Sequence, residues 1–254
     1  MASMGIGDGA RLMRASWVLV QHDRALPWFP ATSMFCFLAT AGFWVYEGTW
    51  LYSLHGPWLF FVPLVAAGLY SLTFIGIFFN VALAGAADAV INGRETSFGD
   101  AVGVALSRLG PIAGWAAYSL FVQVALGFVE SIKGFRWAGK AAEVAWSFAT
   151  FFVVPLIALE GTGARDARRS SYELAKTNWR AESGGLGALK AAMLLPGLLC
   201  AGAYELLKNG DVHSRPAQLL LALVLAGGVV VGVVAGVVRQ VFAVSLYRAS
   251  PTTL

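Results

Sequence analysis

Apolar residues in this chain gather into long runs, and the charged residues are bunched in the short stretches between them. A helix needs about 20 predominantly apolar residues to cross the hydrocarbon core of a bilayer. Six runs meet or approach that length: 28–50, 58–84, 111–129, 142–160, 188–207 and 217–238. The first carries aromatic residues at both ends, as an interfacial belt predicts. The second is long enough to tilt or to protrude. The fifth is the least apolar, with Lys190 near one end and Glu205 near the other, and the sixth is the cleanest. Three shorter segments have helical spacing of apolar positions instead. Residues 5–22 place Ile6, Ala10, Met13, Trp17 and Val20 on one face; 97–109 begins with Ser97 and Asp100 in capping-box spacing; 163–179 is a more basic version. Such helices can lie at the headgroup boundary or pack under the bundle as connectors.

Composition agrees with this pattern. Of 254 residues, 58% are hydrophobic and 13% charged, with a mean hydropathy of +0.69. Soluble domains carry about a quarter charged residues, so a soluble core would leave much apolar surface without a solvent. The expected fold is an all-α integral membrane protein. It is one polytopic domain over 1–254, with six transmembrane helices and amphipathic interfacial helices at the N-terminus and after spans two and four. Arg11 and Arg14 precede an apolar stretch too short for a cleavable signal peptide, so the N-terminus is expected to stay on the mature protein. Cys36 and Cys200 lie inside apolar runs and suggest neither a disulfide nor a metal site.

Basic residues then set an orientation. With a cytoplasmic N-terminus, Arg11, Arg14, Arg24, Arg94, Arg108, Arg165, Arg168, Arg169, Lys176, Arg180, Lys190, Arg239 and Arg248 lie inside. Lys133, Arg136, Lys140, Lys208 and Arg215 lie outside, so the 18 basic residues divide 13 to 5. Both termini are expected in the cytoplasm. The net charge of +4 then reflects loops facing anionic lipid and does not call for nucleic acid.

Enzyme signatures are missing. The sequence holds no Walker loop, G-x-S-x-G or H-E-x-x-H. His22, His55 and His213 are scattered, without second ligands at metal spacing. No cofactor is expected, and none of the chain reads as catalytic. Gly184 to Gly187 (GGLG) read as a flexible linker into span five. Gly228, Gly232 and Gly236 form a small-residue ladder on one face of span six, suited to close packing against another span of this chain or, as the sharper alternative, to homo-oligomerisation or a membrane-protein partner. Asn80 and Gln123 suit interhelical hydrogen bonds, while Glu47, Glu130, Glu160 and Glu205 sit near span ends. In FFVVPLIALEGTGARDARRSS (151–171), Pro155 interrupts a span that ends on Glu160 and Gly161. Proline frees the carbonyl four residues earlier and can bend the helix. Pro155, Glu160, Arg168 and Arg169 therefore read as a hinge with an interfacial ion pair. Pro63, Pro155 and Pro196, inside three spans, also keep open a transporter or channel reading.

Residues 151–179 resemble a pattern in a broad group of bacterial multi-pass membrane proteins. In that group a proline-containing span ends in Glu-Gly before a helix with a Lys-x-Asn-Trp-like tail. The matching residues are Pro155, Glu160, Gly161, Ala167, Ser171, Leu174, Lys176, Asn178 and Trp179. Residues 78–115 are similar to the same group's Gly-Arg linker and amphipathic helix. Arg168 and Ser170 depart from the pattern. The group includes uncharacterised six-span families and the membrane domain fused to some glycerophosphodiester phosphodiesterases. The resemblance implies a six-span fold in a bacterial cytoplasmic membrane, and no hydrolase domain is attached. The expected role is non-catalytic: lipid contact or scaffolding, with Arg11, Arg14, Arg165, Arg168 and Arg169 meeting anionic headgroups on the cytoplasmic side.

Overall fold

The computed structural model of the protein describes residues 5–22, 26, 28–54, 57–132, 136–208 and 215–250. Within these, the side chains of 22, 58, 192–200, 202–208, 215–226 and 229 are not described. Arg24, His55, Lys133 and His213, and the side chains of His22, Pro196, Cys200, Glu205 and Lys208, therefore lie outside the described residues.

The described chain is helical: α1 (Ile6–His22), α2 (Trp28–Ser53), α3 (Phe61–Ile91), α4 (Phe98–Leu106), α5 (Leu109–Ser131), α6 (Arg136–Ala149), α7 (Val153–Glu160), α8 (Ala164–Lys208) and α9 (Arg215–Ala249). A short 3₁₀ turn, Trp58–Phe60, leads into α3. Among the described residues, five helical segments are long and apolar enough to cross a membrane: Trp28–Ser53, Phe61–Ile91, Leu109–Ser131, Arg136–Glu160 and Val230–Ala249. The expected fifth span, 188–207, is the second half of α8 and lies mostly where side chains are not described. The expected sixth span, 217–238, lies within α9.

Packing is concentrated at one end of the bundle. The second half of α3 is the central post there, with Val81, Ala82, Ala84, Ala86 and Ala87 all fully buried. A helix buried on every face has neighbours all round, and this one packs against α4, α5, α7 and α9. Small side chains allow that close approach; at Gly85 an added Cβ would press on Val104 of α4. Toward the other end the apolar surface faces outward. Phe35, Phe121 and Phe128 are 73%, 72% and 71% exposed. Contiguous apolar surface on this scale would be costly in water at about 25 cal/mol per Å², whereas a bilayer solvates it.

The capping box at α4 forms as its sequence predicts: Asp100 N–H donates to Ser97 Oγ at 3.1 Å, and Ser97 N–H donates to Asp100 Oδ2 at 3.2 Å. Two features differ from expectation. The separate surface-lying helix over 163–179 and the flexible GGLG linker are replaced by one continuous helix, α8. The glycines serve contact instead of flexibility: a Cβ at Gly184 would overlap the Ile6 backbone of α1, and one at Gly185 would overlap the Phe242 ring of α9. Gly9 of α1 meets the Ala181 backbone in the same way. α1 is therefore docked lengthwise on α8 and α9, with Met13 buried in the seam.

Candidate functional site

The charged end of the bundle gathers the chain's polar chemistry. The span expected over 142–160 is broken: α6 stops at Ala149 and α7 starts at Val153. Pro155 occupies the third position of α7, inside the first turn, where a missing N–H leaves no intrahelical bond unmade. The interruption is stitched by Ser171 of α8. Its hydroxyl donates to the Ala149 carbonyl at 2.8 Å and accepts the Phe152 N–H at 3.1 Å. Ser171 is fully buried, so these backbone groups are satisfied inside protein and not by a water-filled path.

α7 closes on Gly161, whose φ of +69° is left-handed and favours glycine. A Cβ there would overlap the Arg108 guanidinium. The expected ion pair of Glu160 with Arg168 or Arg169 is not formed. Glu160 accepts a hydrogen bond from the Tyr247 hydroxyl of α9. Arg168 turns the other way and lies over the Tyr118 ring, 5.3 Å from its centroid, a cation–π arrangement. The reason is geometric: once α7 ends in a tight glycine turn, α9 is the element beside Glu160.

The other arginines separate into two sets. Arg11 pairs with Asp8 at 2.7 Å on α1. Arg165 and Arg169 are exposed at the start of α8 and make no hydrogen bond or ion pair among the described residues, and Arg14 borders an apolar groove between α1, α8 and α9. The ladder glycines Gly232 and Gly236 do not pack closely against the described residues, since an added Cβ at either would meet none of them within 4 Å. They open a cavity of about 410 Å³ bordered by Phe29, Met34, Phe37, Phe79 and Asn80.

Two arrangements escaped sequence reasoning. Asp88, buried near the end of α3, accepts from Arg248 Nε at 2.7 Å through Oδ1 and from Arg94 Nη2 at 3.2 Å through Oδ2. These groups border a recess of about 420 Å³ together with Glu95, Asp100 and Arg108. An acid closing an apolar run was the available signal. The second is Glu182 of α8, which is fully buried with neither carboxylate oxygen hydrogen-bonded among the described residues. Burial pushes its pKa up from 4.5 to about 8, against the opposing pull of Arg239. Arg239 itself donates to Ser147 at 3.3 Å and lies 5.8 Å from the Phe151 ring centroid. Among the described residues no three His, Cys, Asp or Glu side chains form a metal-like cluster.

Five apolar helices closed by a polar, arginine-rich end define a helical multi-pass membrane protein. The family of unknown function DUF6159 matches residues 61–253, and the chain belongs to that family. No curated protein and no solved structure matches it.

Proposed function

We propose that the protein is a non-catalytic, lipid-interacting component of a bacterial cytoplasmic membrane, with its arginine-rich end at the cytoplasmic headgroup layer. One observation carries this reading. Arg165 and Arg169 project, exposed and without an ion pair among the described residues, from α8 directly after the candidate span that ends at Glu160. At a span end they stand at headgroup depth, where each basic side chain contributes about 1 kcal/mol of attraction to an anionic surface. The wider kinship with the membrane domain of some phosphodiesterases belongs to this proposal, without any hydrolytic role. The test is reconstitution into nanodiscs of matched anionic and zwitterionic composition, followed by native mass spectrometry of retained lipids. Enrichment of anionic lipid that falls in Arg165→Gln/Arg169→Gln supports the reading; equal retention of both lipid classes by wild type and variant overturns it.

A second reading, solute or ion transport, is favoured by Glu182, since a buried carboxyl with no hydrogen bond among the described residues is a group that can take and release a proton. The prolines support it less than the sequence suggested. Pro63 sits in the first turn of α3, α8 runs unbroken through position 196, and the gap before Pro155 is closed by Ser171. Flux in proteoliposomes that depends on a pH gradient and is lost in Glu182→Gln would establish this reading.

A further inference from the structure

We infer that the recess between α3, α4, α7 and α9 is a discrete phosphate-binding site, read by Arg108 with Arg94 and Arg248. The argument runs through the open valences of its wall. Both oxygens of Asp88 are already taken by Arg94 and Arg248. Asp100 is committed to the Ser97 cap, whose hydroxyl also donates to it at 2.6 Å, and these bonds hold its pKa below the usual carboxylate value. The Thr96 and Ser107 hydroxyls donate to backbone carbonyls of their own chain segment. The carboxylate oxygens still open are those of Glu95 and Oδ1 of Asp100, and both residues are exposed to solvent. The side-chain donors that the wall still offers are guanidinium N–H groups.

Arg108 offers the most. It makes no hydrogen bond or ion pair among the described residues, although its Nε is sealed from solvent. Its guanidinium is held in place by the absence of a side chain at Gly161, against which it packs. A planar fork fixed in this way and lacking an acceptor suits a tetrahedral oxyanion bound through two parallel N–H donors. Asp88 braces Arg94 and Arg248 on the same wall, so the site is ordered before a ligand arrives. The volume of about 420 Å³ exceeds one phosphate and admits a phosphorylated glycerol, within the roughly 300–1,000 Å³ of small-molecule pockets. Ala101, Val104, Ala158 and Leu159 supply an apolar flank for the carbon portion. The shared chemistry is a phosphate group, of either a lipid headgroup or a free solute.

The full-length protein, purified in detergent without phosphate, is titrated with inorganic phosphate by isothermal calorimetry. In parallel it is placed in nanodiscs containing phosphatidic acid or only phosphatidylcholine, and bound lipid is counted by native mass spectrometry. Saturable binding in either arm is expected, weakened about 10- to 100-fold in Arg108→Gln and only partly restored by Arg108→Lys. Arg165→Gln/Arg169→Gln should leave it unchanged, which separates this site from the surface attraction proposed above. Binding of free phosphate identifies a solute site; retention of phosphatidic acid without it identifies a lipid site. Binding in neither arm, or binding that Arg108→Gln does not weaken while the variant keeps the wild-type melting temperature, overturns the inference. Should Arg108→Gln fail to fold, Arg94→Gln, an exposed member of the same wall, takes its place, and binding indifferent to it is equally fatal.

Discussion

Ser171 holds Phe152: the hydroxyl of α8 takes the N–H that the interrupted helix leaves free, at 3.1 Å, while closing the Ala149 carbonyl on the other side. Removing that hydroxyl strands a buried donor and a half-buried acceptor together. Ser171→Ala should therefore cost about 2 kcal/mol or more, since an unmet buried group costs about 1–3 kcal/mol. Ser170→Ala, one residue away and exposed, should be near neutral. Thermal melting of both in one detergent checks the contrast.

Two glycines share a left-handed backbone but differ in surroundings. Gly93 has φ +66° with open space around it, and Gly161 has φ +69° with the Arg108 guanidinium against it. Gly93→Ala should lose about 1 kcal/mol for conformation alone. Gly161→Ala should lose clearly more, and the excess should shrink when Arg108→Ala is added, as a double-mutant cycle measures.

Glu182 predicts a slope of stability with pH. Its folded pKa of about 8 lies above the ordinary 4.5, so between those values the folded state holds a proton that the unfolded chain has released. Stability should fall as pH rises from about 4.5 toward 8 and level off beyond, because the more protonated state is favoured at low pH. Glu182→Gln should flatten that part of the profile. Melting temperatures across pH 5 to 9 would show it, and identical slopes in the two proteins would refute the assignment.

The α4 cap gives a local test. Ser97→Ala removes the acceptor for the Asp100 N–H, at a typical cost of about 1 kcal/mol. Because α4 is short, the loss should appear as faster hydrogen exchange in peptides covering 98–106, with little change in α9.

Local signals carried well from sequence to structure, and long-range ones did not. The Ser97–Asp100 cap, the turn at Gly161 and the proline interruption before it are set by residues within a few positions of one another, so spacing reveals them. Glu160 finds its partner 87 residues away and Asp88 finds Arg248 160 residues away; a single sequence holds no record of such encounters. Proximity in sequence instead suggested Arg168, which the helix direction carries to Tyr118. The GGLG segment misled for a related reason. Glycine permits flexibility and close approach alike, and only the neighbours, Ile6 and Phe242, decide between them. The same ambiguity at Gly232 and Gly236 resolved the opposite way, toward open space.

The docking of α1 on α8 and α9 has a consequence for assembly. α1 is synthesised before α8 and α9, so the backbone contacts that hold it, at Ala181 and Gly184, and the α9 ring at Gly185 that aligns its partners, emerge only later. Until then its apolar face has no protein to cover it and must wait at the membrane surface or with a chaperone. α1 therefore acts as a late clasp, closing on α8 and α9 only after both have been made.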